Sequence, residues 1–214
     1  MNIVTHEDWE IKTYEGIKSY VPKEGSVPSE VRPGVYEGGF QLWECTIDLL
    51  RYLKNINFEG KSVFELGCGR GLPGIYCSLH GSPEVVLQDF NHEVLEEITQ
   101  PNAKLNDCPR NVITFSAAKW ADVPQIFPPE KFDIVLASET IYRKEDLPSF
   151  VSAFRHLVKK DGVVLVAAKR MYFGLSGSVF DLIDLIKEEF SYELHEIKDQ
   201  SAYKRDIIII KKKN

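Results

Sequence analysis

Between Ser62 and Phe190, short strand-like runs of apolar residues alternate with longer helix-like segments. Parallel strands need a crossover connection, usually a helix, so this alternation predicts a mostly parallel sheet with helices on both faces. A segment with helical spacing, Leu42–Leu53, precedes it. The predicted strands are Ser62–Leu66, Glu84–Asp89, Asn111–Ser116, Phe132–Ala137 and Gly162–Ala168, and the predicted helices after them are Leu72–Leu79, Glu93–Leu105, Leu147–Val158 and Val179–Phe190.

The two ends of the chain have other patterns. Ser191–Ile197 and Arg205–Lys211 are strand-like and joined by a short connection, which predicts an antiparallel hairpin. With it the fold class is α/β, a doubly wound, mostly parallel seven-stranded sheet of Rossmann-like type. Residues 1–35 are polar and rich in proline and glycine, and we expect a short extension with a hairpin around Ile11–Tyr20. The predicted division is an extension over 1–35 and the α/β domain over 36–214.

Charge argues against several classes of function. The chain of 214 residues has 26 basic and 32 acidic side chains, a net charge of −6. Nucleic-acid-binding proteins are usually basic, so we expect no direct nucleic-acid binding, whereas an acidic chain suits a basic protein partner.

The apolar runs of the sequence do not predict a membrane protein. No apolar run approaches the roughly 20 residues of a membrane span, and the polar start is unlike a signal peptide. We expect a monomer, without membrane association, in the cytoplasm and also in the nucleus.

The cysteines and histidines do not predict a metal site. None of the four cysteines forms a C-x-x-C pair, and the five histidines have no spacing typical of metal ligands. We therefore expect reduced thiols and no metal cofactor.

The segment Val63–Gly71 predicts a strand that enters a glycine-rich turn and opens a helix. Gly69, Gly71 and Gly74 match the spacing of the dinucleotide fingerprint. Glu65 argues against a dinucleotide, because its carboxylate would repel the pyrophosphate that such a loop receives. S-adenosylmethionine instead carries an ammonium and a sulfonium, which a carboxylate attracts. The loop favours that cofactor, although Glu65 could also serve only to cap the loop.

Three residues after the second strand support an adenosine ligand. Asp89 ends the strand about 20 residues past the loop, where a carboxylate holds a ribose diol. Phe90 can pack on the adenine or in the core. Asn91 can bind the cofactor or cap the next helix.

Short motifs outside the loop narrow the class further. They are Pro33–Gly39, Leu42–Thr46, Gln88–Asn91 and Leu136–Tyr142. With the loop they resemble class I S-adenosylmethionine-dependent methyltransferases, from about Gly34 to the C-terminus. The segments containing Trp43-Glu44 and Ser138–Tyr142 resemble, more narrowly, the histidine protein methyltransferase family. The resemblance implies S-adenosylmethionine as cofactor, S-adenosylhomocysteine as product, and a substrate histidine in a large-subunit ribosomal protein, methylated on the ring nitrogen distal to the backbone.

The resemblance also implies cofactor-binding residues. The positions that match are Trp43, Glu44, Cys45, Thr46, Gly67, Gly69, Gln88, Asp89, Phe90, Trp120 and Ser138. Other roles are open for four of them: Trp43 could pack in the core, Trp120 could pack under a loop, Glu44 could be a solvated helix residue, and Ser138 could be a turn residue. Lys119 departs from the family, in which an acid is common before the tryptophan, so a polar contact to the adenine amino group is in doubt.

Two residues past the fourth strand are catalytic candidates. Glu139 and Tyr142 follow the carboxyl end of that strand, where open α/β sheets bind ligands, although they could also cap and pack a helix. A histidine acceptor has a reference pKa of about 6.5 and is mostly neutral at pH 7, so no strong base is needed. Glu139 is the candidate acceptor for the proton on the other ring nitrogen, with Tyr142 as a wall or hydrogen-bond partner. Lys169–Gly174 combines cations, aromatics and a glycine, and we expect it to face the substrate rather than to be an ordinary exposed loop.

Three alternatives remain at this level. The chain could be a protein-lysine methyltransferase of the same group, whose acceptor needs deprotonation because lysine has a reference pKa of about 10.4. It could be a non-catalytic S-adenosylmethionine-binding scaffold for a ribosomal protein. An NAD-linked oxidoreductase fits least, because Glu65 argues against it and no hydride-transfer site is recognisable.

Overall fold

A computed structural model describes residues 9–199 and 202–213 of the chain. Its strands are β1 (Glu10–Tyr14), β2 (Ile17–Val21), β3 (Ser62–Leu66), β4 (Glu84–Asp89), β5 (Ile113–Ala117), β6 (Phe132–Ser138), β7 (Val158–Lys169), β8 (Phe190–Glu196) and β9 (Arg205–Lys212). Its helices are α1 (Glu44–Leu53), α2 (Leu72–Leu79), α3 (His92–Val94), α4 (Gln100–Leu105), α5 (Val123–Ile126), α6 (Leu147–Leu157) and α7 (Val179–Ile186).

Seven strands form one sheet in the order β5-β4-β3-β6-β7-β9-β8. The pairs from β5 to β7 are parallel, and β9 pairs antiparallel with both β7 and β8. The predicted doubly wound sheet with a C-terminal antiparallel hairpin is therefore confirmed. The strand order reverses between β3 and β6, which is the position where open α/β sheets bind ligands beyond the carboxyl ends of their strands.

The sheet separates two apolar layers. Successive side chains of a strand point to opposite faces, and in β3 this sends Val63 into the layer with α1 and α2 and Phe64 into the layer with α6 and α7. Every residue of β3 is buried, as in a strand covered on both faces. The central strands are thereby held firmly, and their carboxyl ends provide a rigid edge for the site.

The described part of the N-terminal extension packs on this sheet domain. β1 and β2 form the hairpin predicted around Ile11–Tyr20. The backbone N–H of Tyr20 donates to Asn102 Oδ1 at 2.8 Å, and Arg70 Nη1 donates to the Tyr20 carbonyl at 3.2 Å. Ile17 is buried among the residues of the α1–α2 layer. The division at residues 35 and 36 stays a prediction.

Several boundaries differ from those expected. β7 begins at Val158 rather than Gly162, with a register shift opposite Phe132 and Ile134. α7 ends at Ile186, because Phe190 is buried as the first residue of β8 instead of continuing the helix. Between α3 and α4 the helical turns widen to a π-helix over Leu95–Thr99. Within the described residues, no helix combines the length and apolar character needed to cross a membrane.

Candidate active site

A cleft of about 340 Å³ opens at the carboxyl ends of β3, β4 and β6. Its walls come from the segment before α1, the glycine loop, the end of β4, the turn after β5 and the segment after β6. The residues expected from the sequence that line it are Trp43, Thr46, Gly67, Gly69, Asp89, Phe90, Trp120, Ser138, Glu139 and Tyr142. The structure thus brings together residues from five separate parts of the chain.

The glycine loop forms the floor of the cleft. Gly67 and Gly69 have positive φ angles of 64° and 49°, which glycine adopts without penalty. A Cβ on Gly67 would lie 3.0 Å from Thr140 Cγ2, and one on Gly69 would lie 3.1 Å from the Gly39 carbonyl oxygen. A side chain at either position would therefore be strained by the positive φ and crowded by these atoms. The bare backbone of both glycines lines the cleft.

Asp89 connects the end of β4 to this loop. Its Oδ2 accepts from the Gly69 N–H at 2.9 Å and its Oδ1 from the Asn91 N–H at 3.0 Å. Burial raises the pKa of Asp89, while these backbone donors favour its charged form. Asn91 does not line the cleft: its side chain donates to the Val35 carbonyl at 2.7 Å and accepts from the Glu37 N–H at 3.1 Å. Asn91 thereby anchors the segment that carries Glu37 into the cleft wall.

Four other expected residues lie behind or outside the cleft. Glu65 is fully buried, and its Oε2 accepts from the Gly74 N–H at 2.9 Å, which is the loop-capping arrangement that the sequence left open. Burial raises the pKa of Glu65 to about 8.

The side chain of Gln88 holds the loop from beneath, since it accepts from the Gly67 N–H and donates to the Ala118 carbonyl. Cys45 is buried and Glu44 is exposed, 3.6 Å from Arg205. Their roles toward a cofactor stay predictions.

The N-terminus of α1 forms one side of the cleft. Trp43 is the residue before the helix, with an extended backbone, so the helix begins two residues later than expected. The residue is 37% exposed, and its Nε1 donates to the Gly38 carbonyl at 3.3 Å. One turn on, the hydroxyls of Thr46 and Ser138 lie 3.0 Å apart and join α1 to the end of β6.

Glu139 has a backbone conformation that few non-glycine residues adopt. Its φ is 55°, a left-handed value that carries a steric cost and is often found at functional sites. Its N–H donates to the Ala167 carbonyl at 2.9 Å, which fixes the residue against β7. Its buried Oε1 lies 3.5 Å from Lys169 Nζ. Burial and this nearby carboxylate raise the pKa values of Cys45 and Tyr172.

Tyr142 is held by two residues that the sequence did not single out. Its hydroxyl donates to Glu37 Oε2, and Arg143 Nη1 lies 3.4 Å from Glu37 Oε1. Burial, followed by the Glu37 carboxylate, raises the pKa of Tyr142, so this hydroxyl stays protonated and remains a donor. Glu37 lies within the Pro33–Gly39 motif, and this motif is the sequence signal that could have identified Glu37 as a site residue.

A second cavity of about 450 Å³ adjoins the cleft. The two share a wall made of Glu37, Trp43, Glu139, Tyr142 and Arg143. The rest of the second cavity is formed mainly by Val31, Pro33, Lys169, Met171, Tyr172, Phe173, Leu175 and Tyr203. Four residues of the Lys169–Gly174 segment thus face this cavity. Arg170 instead pairs with Asp206 Oδ1 at 2.6 Å.

Among residues 9–199 and 202–213, no group of three histidine, cysteine, aspartate or glutamate side chains is placed to hold a metal ion.

The sheet order and the position of the cleft define the class I methyltransferase fold. A putative S-adenosylmethionine-dependent methyltransferase from Streptococcus mutans aligns with a TM-score of 0.70, at 12% identity over 99% of this chain and 57% of that one. The magnesium protoporphyrin IX methyltransferase of Synechocystis, solved with bound S-adenosylmethionine, aligns with a TM-score of 0.60, at 19% identity over 78% and 77% of the two chains.

Residues 33–180 match the family described as lysine methyltransferase, and the chain belongs to that family. It is 39% identical to a histidine protein methyltransferase 1 homolog of Dictyostelium discoideum, over 86% of this chain and 61% of that protein. The mouse homolog of the same name is 33% identical, over 85% and 58%. Mouse EEF1A lysine methyltransferase 3 is 31% identical, over 60% and 55%. The chain therefore spans about three fifths of the length of the curated relatives it matches.

Proposed function

We propose that the chain is an S-adenosylmethionine-dependent protein-histidine N-methyltransferase that modifies the distal ring nitrogen of a histidine. The observation that carries the proposal is the wall shared by the two cavities, in which Glu139, Tyr142 and Trp43 face both sides. A cofactor in the cleft and a side chain in the second cavity would meet at this wall. The names of its relatives support a protein substrate.

The cleft has the size and chemistry to hold S-adenosylmethionine. Its volume of about 340 Å³ falls within the range of small-molecule sites, about 300–1,000 Å³. Gly67 and Gly69 leave room at the floor, Asp89 presents a carboxylate for the ribose diol, and Phe90 and Trp120 provide aromatic faces for the adenine. The buried Thr140 hydroxyl on the wall has no hydrogen-bond partner in the described part of the chain, and a bound ligand would supply one.

The main contribution of the protein to this reaction is to place the methyl group and the acceptor nitrogen in line. The cofactor would supply an electrophilic methyl group on a sulfonium, and the neutral imidazole would supply the attacking lone pair. The electron pair of the broken S–C bond would stay on sulfur in S-adenosylhomocysteine, and the methylated ring would then release its remaining N–H proton. Glu139 accepts the hydrogen bond of the N–H on the other ring nitrogen and thereby selects the tautomer that leaves the distal nitrogen free. Trp43 and Tyr142 confine the ring between the cavities. Such placement alone can lower a barrier by about 7–11 kcal/mol.

The substrate proposed is a histidine in a large-subunit ribosomal protein. The support is the resemblance of the Trp43-Glu44 and Ser138–Tyr142 segments to the histidine protein methyltransferases, together with a net charge of −6 that suits a basic partner. We propose a monomer that acts in the cytoplasm and also in the nucleus, where ribosomal proteins are made and assembled.

The test is methyl transfer followed by amino-acid analysis. The protein is incubated with methyl-labelled S-adenosylmethionine and ribosomal subunits from cells that lack the activity, and the labelled band is hydrolysed. We expect label in methylhistidine substituted on the distal nitrogen, and its loss in Asp89→Ala. Label in methyllysine would instead support the lysine alternative, which the family description and the EEF1A relative favour. Binding of S-adenosylhomocysteine without any label would support the scaffold alternative.

A further inference from the structure

Lys169 lines the second cavity beside two residues of the shared wall, Glu139 and Trp43. It is the last residue of β7 and lines the cavity. Its Nζ lies 3.5 Å from Glu139 Oε1, 5.9 Å from the ring centroid of Trp43 and 5.6 Å from that of Tyr203. Both rings are within the distance at which an aromatic face attracts a cation. One carboxylate and two aromatic rings therefore surround a single ammonium.

Without Lys169, the same carboxylate and aromatic rings could bind the ammonium group of a substrate lysine. A carboxylate and flanking aromatic faces attract an ammonium group, and in this chain an internal side chain already supplies that group. The Lys169 side chain is 20% exposed and that of Glu139 is 5% exposed, so solvent screens their charges only in part. A second ammonium entering beside Glu139 would meet a like charge at short range.

A neutral imidazole meets no such repulsion. A carboxylate has about four acceptor positions. Lys169 lies beside Oε1, and the Cys45 thiol and Tyr172 hydroxyl also interact with Glu139, which leaves a position that can accept an imidazole N–H. We propose that Lys169 is a specificity-determining residue, whose ammonium occupies the cation site of the second cavity and thereby admits histidine and excludes lysine. The inference rests on the proposed function, because it takes the second cavity as the place where the acceptor side chain binds.

Binding of two small probes tests the inference without any need for turnover. The probes are 4-methylimidazole and n-butylamine, which represent the two side chains, and ligand-observed NMR in the presence of S-adenosylhomocysteine measures their affinities. At about pH 8.5 the imidazole is mostly neutral and the amine is mostly charged. We expect the wild-type protein to prefer 4-methylimidazole. In Lys169→Met we expect n-butylammonium to bind at least about tenfold more tightly, which corresponds to about 1.4 kcal/mol, with little change for 4-methylimidazole.

Two further variants separate the charge of Lys169 from its packing. Lys169→Arg retains a cation and should retain the preference for imidazole. Lys104→Met removes an exposed lysine on α4 and should behave as wild type. Equal weakening of both probes in Lys169→Met, or an unchanged preference, would overturn the inference.

Turnover assays then distinguish this inference from the proposed function. Peptides that differ only by histidine or lysine at one position are compared by kcat/KM in wild type and Lys169→Met. We expect wild type to methylate only the histidine peptide, and Lys169→Met to methylate the lysine peptide as well. Histidine methylation by wild type with no gain in the variant would refute the role of Lys169 alone. Lysine methylation by wild type would refute both.

Discussion

Replacement of Asp89 by asparagine separates binding of the ribose from support of the loop. Asp89 accepts one backbone N–H on each carboxylate oxygen, from Gly69 and from Asn91. An asparagine has one carbonyl oxygen, so its amide NH₂ would face one of these donors. A buried donor left without a partner costs about 1–3 kcal/mol.

Two effects of the change oppose each other in the folded protein. Burial raises the pKa of Asp89, which means that its charge is costly in this position, and asparagine removes that cost. The net loss in the free energy of unfolding should therefore be at the low end, about 1 kcal/mol. Binding has no such compensation. Loss of a charged acceptor for a ribose hydroxyl costs about 1.5–3 kcal/mol, so the Kd of S-adenosylhomocysteine should rise by about 10- to 100-fold.

Calorimetric titration and urea unfolding measure the two quantities on the same samples. Asp122→Asn is the matched control, because Asp122 is exposed in the turn after β5, close to the same cleft. A folded Asp89→Asn protein whose Kd for S-adenosylhomocysteine is within about threefold of the wild-type value would refute the ribose role. A threefold change in Kd corresponds to a binding free energy well under 1.4 kcal/mol.

Three other changes test the loop and the buried charges. Glu65→Gln should remove a pH dependence of the free energy of unfolding. Burial raises the folded-state pKa of Glu65 from 4.5 to about 8. The wild-type free energy of unfolding is therefore highest with respect to this group below pH 4.5 and falls as the pH rises toward 8. The variant's advantage in urea unfolding should then be larger at pH 8 than at pH 5, and an equal difference at both would contradict the assignment. Gly69→Ala places a Cβ 3.1 Å from the Gly39 carbonyl oxygen at a φ of 49°, and calorimetry should show weaker cofactor binding. Gly25→Ala is the control, because Gly25 also has a positive φ but open space around its Cβ. Arg205→Met should lower the free energy of unfolding by about 3 kcal/mol, because the buried Asp48, now 2.6 Å from Arg205 Nε, would keep only the exposed Arg51, 3.7 Å away, as a cation. A loss under about 1 kcal/mol would show that the Arg205–Asp48 pair is dispensable.

The sheet could be predicted well because its signals are local. β3, α2 and β4 have the bounds expected from the sequence, since each is a short apolar run that ends at glycine or at a polar residue. Elements whose ends depend on packing were less predictable. Phe190 continues the apolar spacing of α7, yet it packs against Phe154 at 5.6 Å between ring centroids as part of β8.

Glu65 illustrates the limit within the site itself. Its position in the strand and its charge are visible in the sequence, but β3 is buried on both faces, so the two-residue period does not reveal which layer a polar side chain enters. Only the packed structure turns the carboxylate toward the N–H of Gly74 instead of into the cleft.

Strand period, glycine turns and the order of elements are properties of neighbouring residues, so the class of fold and the residues at the strand ends could be predicted. Which of these residues meet depends on tertiary packing. Glu37 reaches Tyr142 across 105 positions of the chain, and Lys169 comes to lie between Trp43, Glu139 and Tyr203. Such contacts depend on how helices and loops pack over the carboxyl edge of the sheet, and no local period encodes that packing.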